Sequence, residues 1–287
     1  MSSSRDVWEA VEPIHAVVYM AREARDAIAT VGLEGFWPGY FASRGAALGA
    51  ATPEVVEATF HGFPTAMVRA AMEGVWERTD PPTVLHARST GAVAALRRVL
   101  GDLSAGDEVR SVARLSRTAA EGGTLAGRPL FAGLRAMAWS DDPLAAAWHG
   151  TSLLREHRGD GHVAVLTAAG VDGCASQVLA AARGVTTREL QRASRQWTED
   201  AWRAAEERLR ERRWLDAAGA LTPLGLTEVD EIEARTDKLA EDGIAALSPA
   251  ERDELVAAAR VLACIVWASG EIPEPNPIGL YRPDWAR

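Results

Sequence analysis

The same polar series occurs twice in this chain, about 134 positions apart, and an internal repeat of that period constrains the fold before any single motif does. His15 and His149 are 134 apart, and Arg22-Glu23-x-Arg25 matches Arg155-Glu156-x-Arg158 at an offset of 133. Phe63 and Trp197 sit 134 apart, as do Val68-Arg69-Ala70-Ala71 and Trp202-Arg203-Ala204-Ala205, while Trp76 and Trp214 are 138 apart. Arg-Ala-Ala pairs alone would arise by chance between two Ala-rich helical halves; the ordered series argues for duplication. It predicts a first lobe over 1–100, a helical connector over 101–140, a second lobe over 141–247, and a C-terminal helix with a Pro-rich tail over 248–287.

Within this frame nearly every segment reads as helix. Apolar positions recur at three and four through 14–31, with Pro13 placed at a first helical turn. Thr52-Pro53-Glu54 supplies an N-cap, a proline at the first helical position and an acid in the first turn. Thr198-Glu199-Asp200 opens a helix of the second lobe in the same style, and Gly159-Asp160 reads as a helix stop followed by an N-cap. One segment departs from the pattern. From Trp214 to Gly225, two short apolar stretches flank a polar turn containing Gly219, which predicts a small β-hairpin.

Helix over 187–196, turn, helix over 198–213, hairpin, then a long helix from Leu224 to about Asp242 is the order of a winged helix-turn-helix. On that order, and down to Leu221-Thr222-x-x-Gly225, residues 162–242 resemble a MarR-type winged helix. The whole chain more closely resembles a family of bacterial helix-turn-helix-like proteins. Gly39-Tyr40-Phe41-x-x-Arg44, Leu48-Gly49, Gly127-Arg128-Pro129-Leu130-Phe131 and Arg155-Glu156-His157-Arg158-Gly159-Asp160-Gly161-His162 carry that likeness. The resemblance implies a mainly α protein of tandem winged-helix-like lobes, with the wing kept in the second and degenerate in the first, where Glu77 to Pro82 replaces it. It implies no particular reaction.

Charge and composition narrow the partners. Lys and Arg number 31 against 40 Asp and Glu, a net charge of −9, whereas a polyanion-binding protein usually shows a basic surplus. The candidate recognition helix opens with Glu199 and Asp200, and the wing tip Asp216 to Gly219 carries no cation, so DNA is disfavoured as a partner. Arg188, Arg192 and Arg195 on the preceding helix, with Arg203, are the residues that would serve DNA, and a homodimer would offer a composite surface that a monomer lacks. No 18-residue apolar run is present to span a membrane, the N-terminus carries no basic and apolar leader, and Cys174 and Cys264 are isolated. A reduced, cytoplasmic protein is expected. No HExxH, CxxC, P-loop, dinucleotide fingerprint or Gly-x-Ser-x-Gly elbow is present, so neither a cofactor nor a metal is expected.

The chemistry concentrates in residues 155–162, where Arg155, Glu156, His157, Arg158, Asp160 and His162 are expected at one helix–helix corner. One reading is caps, solvated pairs and lobe-joining contacts. The other is a pocket wall in which an arginine pairs an anionic ligand and Glu156, His157, Asp160 and His162 act as hydrogen-bond or acid/base partners. His15, Arg22, Glu23 and Asp26 are the first-lobe counterparts of His149, Arg155, Glu156 and Asp160. Gly35 to Arg44 interleaves four aromatics with glycines, a second candidate wall with Tyr40 and Arg44 as its polar contacts. The expected ligand site is therefore Tyr40, Arg44, Arg155, Glu156, His157, Asp160, His162 and His15, in a small-molecule-binding, winged-helix-derived protein that acts as a ligand-responsive transcriptional regulator. The alternative is an enzyme of small-molecule metabolism with no DNA binding, using His157, His162 or Glu156 for acid/base chemistry.

Overall fold

The computed structural model describes residues 1–287. The first half comprises α1 (Ser4–Met20), α2 (Arg22–Ala29), α3 (Phe36–Gly45), α4 (Pro53–Phe60), α5 (Thr65–Met72), the single turn α6 (Val75–Arg78) and α7 (Pro81–Leu100). Then come α8 (Asp107–Gly122) and α9 (Pro129–Arg135). The second half comprises α10 (Pro143–Ala168), α11 (Gly173–Ala182), α12 (Arg188–Arg195), α13 (Glu199–Glu211) and α14 (Pro223–Ala240), and α15 (Pro249–Ala268) closes the helical part. The protein is mainly α. No single helix is long and apolar enough to cross a membrane.

Side chains written into the sequence start many of these helices. Asp80 and Asp142 each accept a backbone N–H in the first turn of a helix that has proline at its start. Thr187, Thr198 and Thr222 do the same for α12, α13 and α14, and Ser3/Asp6 and Ser248/Glu251 form reciprocal capping boxes. Each cap is worth about 1 kcal/mol, so the punctuation of the chain is a sizeable share of its stability.

Three large apolar clusters, with a fourth small one of Ala120, Phe131, Leu134 and Leu153, hold the helices. A central one joins α1, α7, α8, α10 and α15, with Ile14, Leu96, Leu115, Leu144 and Leu262 fully buried, and Ile272 and Leu280 from the tail complete it. A second, around Phe41, Phe60, Phe63 and Val68, lies within the first half, and a third, around Trp202, Leu209 and Trp214, within the second. The helix order of the halves is similar: α4 and α5 begin at Pro53 and Thr65, α12 and α13 at Arg188 and Glu199, and the long helix comes next after α13 but only after the single turn α6 in the first half.

Three local expectations need correction. Pro13 lies inside α1, which already starts at Ser4, not in a first turn. The helix does not stop at Gly159: α10 runs unbroken to Ala168, and so residues 155–162 form two turns of one helix, not a corner. Asp160 is not an N-cap there because its carboxylate is used elsewhere, accepting the backbone N–H of Phe131 at 3.0 Å. The hairpin wing is also absent. Leu215 and Leu221 form one isolated antiparallel bridge, because Trp214 and Leu215 are buried against the second half's core while Thr222 already caps α14. Only the Asp216 N–H to Ala220 and Thr222 N–H to Trp214 hydrogen bonds, both at 2.9 Å, flank that bridge, so the segment is a tight turn and not a pair of strands.

Candidate functional site

Two of the sequence motifs interlock, and this fixes the cluster on α10. Arg128, just before α9, donates to the carbonyl oxygens of His157 and of Leu239, the latter at 2.8 Å. It can lie across α10 because position 161 is glycine: a Cβ there would sit 2.7 Å from the Arg128 guanidinium. Asp160 holds the start of α9 through Phe131. Gly159 leaves the adjacent face of α10 open.

On that open face Glu156 is the hub. Arg44 from α3 donates through Nη2 to both of its oxygens, at 3.0 and 3.1 Å, and Arg155 donates through Nη1 to Oε2 at 2.7 Å. Arg44 also donates to the Tyr40 hydroxyl at 2.9 Å and stacks 4.4 Å from the Phe60 ring centre. The Glu156 and Arg44 side chains are 2% and 8% exposed, which takes the pair out of surface-salt-bridge energetics. Burial alone would push the Glu156 carboxyl up, but Arg155 and Arg44 outweigh it and hold it well below the usual carboxylate range. Asp160 goes the other way: burial raises it to about 7, against the lowering hydrogen bond from Phe131 and with the Glu156 charge adding to the rise.

Tyr40, Arg44, Arg155, Glu156, Asp160 and His162 line a single cavity of about 270 Å³ between the halves. A second of about 290 Å³ adjoins it, sharing Arg155, Gly159 and His162. His162 donates or accepts at Thr236 Oγ1, 2.9 Å away, and burial pushes its imidazole down to about 4. Six of the eight residues expected at a ligand site thus come together. His157 and His15 do not. His157 points to the opposite side of α10, edge-on to Phe131 and 3.4 Å from an Asp242 oxygen. His15 is fully buried between Ser152 and Tyr19, with each ring nitrogen 2.8 Å from a hydroxyl.

Arg195, expected on a basic DNA-facing side, turns inward instead. Its guanidinium lies 4.2 Å from the centre of the Phe63 ring, donates to the Pro277 carbonyl at 3.2 Å, and lines the cavity. It pairs with no carboxylate. The remaining arginines of that set are ion-paired in place: Arg188 and Arg192 both reach Glu199 at 2.6 Å, and Arg203 reaches Asp200 at 3.2 Å. His61 was not legible as a site residue. It lines the cavity from the α4–α5 turn with φ 54°, its Nε2 3.0 Å from the Val171 carbonyl. A lone histidine in an irregular turn gives a sequence reader no signal.

The α12–turn–α13 pair followed by a long helix has the element order of a helix-turn-helix. A family model described as a helix-turn-helix family matches residues 4–273, and the chain belongs to that family. No curated protein and no solved structure matches it.

Proposed function

We propose that the protein binds a small anionic molecule in the cavity between its halves, and that the halves are duplicated MarR-like lobes of which the second carries the helix-turn-helix. The observation that carries this reading is Arg195, a partly buried guanidinium on the cavity wall without a carboxylate partner. Of the three arginines there, Arg44 and Arg155 share Glu156, so Arg195 is the charge left for a ligand, and a guanidinium binds carboxylate or phosphate in a fork geometry. Phe60, Phe63, Leu130 and Ile278 supply apolar wall, the mix of a few convergent polar groups in an apolar setting that suits small molecules. Because Arg195 and Gln191 belong to α12, occupancy is felt by the helix-turn-helix, which supports a ligand-responsive regulator.

Helix-turn-helix membership makes DNA the second partner to consider. The outward arginines of α12 and α13 are already paired with Glu199, Asp200, Glu206 and Asp172, and that favours ligand over DNA as the primary partner. An enzymatic use of the cavity would draw on Asp160, whose carboxyl near 7 suits acid/base exchange.

Calorimetric titration with phenylacetate of the parent, Arg195→Met and Arg203→Met tests the reading. Both variants lose one positive charge. The Arg195 variant should lose binding at least about tenfold, as for a charge-assisted hydrogen bond, while the Arg203 variant should match the parent. Equal affinity across all three would refute it.

A further inference from the structure

We propose that the cavity selects an anion that also carries a hydrogen-bond donor, an O–H or N–H group placed to reach an unprotonated imidazole nitrogen; this rests on the anion reading above. The Thr236 hydroxyl has one proton, and it donates that proton to the Ile232 carbonyl at 2.9 Å. Toward His162 it can only accept, so the ring proton of His162 sits on Nδ1. Burial keeps this imidazole neutral at physiological pH. Nε2 therefore bears a lone pair, and it makes no hydrogen bond within the protein.

His61 reaches the same condition from the other half. Its Nε2 faces the Val171 carbonyl, which can only accept, so Nε2 holds the proton and Nδ1 the lone pair. Burial lowers this imidazole also. The turn that carries it is pinned: a Cβ on Gly173 would lie 2.0 Å from the His61 carbonyl oxygen, so only glycine lets α11 start against it. His61 itself adopts φ 54° and ψ −54°, a conformation rare outside glycine. Two neutral imidazoles, one from each half, thus line the cavity that Arg195 lines, and each keeps an acceptor nitrogen the protein does not use.

A plain carboxylate would satisfy Arg195 and leave those acceptors to water, whereas a hydroxy or amino acid satisfies both. A site built to hydrogen-bond a hydroxyl discriminates strongly against the analogue that lacks it.

Mandelate and phenylacetate differ by one hydroxyl, and titrating both into the full chain tests the proposal. Mandelate should bind the parent about tenfold tighter. That preference should vanish in His162→Phe, with His162→Leu as the alternative where the Phe variant does not fold. In the parent, ¹⁵N spectra should show His162 Nε2 as the unprotonated ring nitrogen. Equal affinity of the two acids for the parent overturns the donor requirement and leaves the anion reading intact. Failure of both acids to bind overturns the anion reading and this proposal with it. A preference that survives in a folded His162 variant overturns the role of His162.

Discussion

The Arg195 guanidinium rests 4.2 Å from the centre of the Phe63 ring, so the last turn of α12 in the second half is seated on an aromatic side chain of the first. A desolvated cation–π contact of this kind is worth up to about 2 kcal/mol. It explains how a cation can stand beside the cavity without a carboxylate: the ring face and the Pro277 carbonyl hold it. Neither neutralises it. The contact also ties α12 to the opposite half through one side chain.

Replacing Glu156 should be costly. Glu156→Gln leaves the Arg44 and Arg155 guanidiniums facing a neutral amide in a buried site, a loss of about 3–5 kcal/mol. At roughly 2–4 °C per kcal/mol the unfolding midpoint should fall by about 10 °C. Its folded-state carboxyl is depressed, so its contribution is present above the unfolded value near 4.3 and is lost as pH falls. A melt of the variant within 2 °C of the parent, on the same scale, would show that the buried pair is dispensable.

Asp160 should behave in the opposite sense. Its folded carboxyl is raised to about 7 from an ordinary aspartate value of about 3.9, so the folded state binds the proton more tightly. Stability tied to this group is full below its unfolded value and drains away as pH rises through about 7. Asp160→Asn removes that drain and keeps an oxygen to accept from Phe131. The variant should therefore be more stable than the parent at pH 8, by an amount on the order of a few kcal/mol, and the gap should shrink toward pH 4. Urea titrations at the two pH values measure it; a variant less stable than the parent at pH 8 would mean the charge is needed there.

The buried histidines predict an early acid transition. Burial pushes His149, His157 and His162 down to about 4, and His15 lies well below its usual value. With folded values below the unfolded 6.5, the unfolded chain takes up protons first. Stability is full above about pH 6.5 and falls as the pH drops toward 4. Fluorescence of the tryptophans against pH should show loss of structure beginning before most carboxylates protonate. A flat profile down to pH 4 would contradict it.

Freeing the paired arginines should create affinity for DNA. Glu199 holds both Arg188 and Arg192 at 2.6 Å. Glu199→Gln should raise affinity for a random duplex and steepen its salt dependence, by about 0.9 in log–log slope for each phosphate newly contacted. Tight binding by the parent itself, with a steep slope, would show that these pairs open on DNA.

Much of the architecture was legible because it is written in local punctuation. Thr198 marks a helix start through an effect confined to one turn, its side chain accepting the Ala201 N–H. Six of the eight residues expected at a ligand site line one cavity, and they stood out because the dense charge of 155–162 and the aromatics of 35–44 are unusual composition for a core. The remainder depends on partners distant in sequence. Gly159 reads as a helix stop until Arg155 and Glu156 are seen beside it and Asp160 is seen holding Phe131. His157 and His162 differ in role because five residues along a continuous helix turn a side chain to the far side. Arg195 looks like its neighbours Arg188 and Arg192, and only the tail at Pro277 and the ring of Phe63 set it apart.

The most direct test of the anion-binding claim is thermal melting of parent and Arg195→Met with phenylacetate and with its neutral isostere phenylacetamide. At a hundredfold excess over Kd, binding adds about 2.7 kcal/mol, or roughly 5 °C or more in the midpoint. The account predicts that the acid stabilises the parent, that the amide does not, and that neither stabilises the variant. Equal stabilisation by acid and amide, or a shift retained in Arg195→Met, would contradict it.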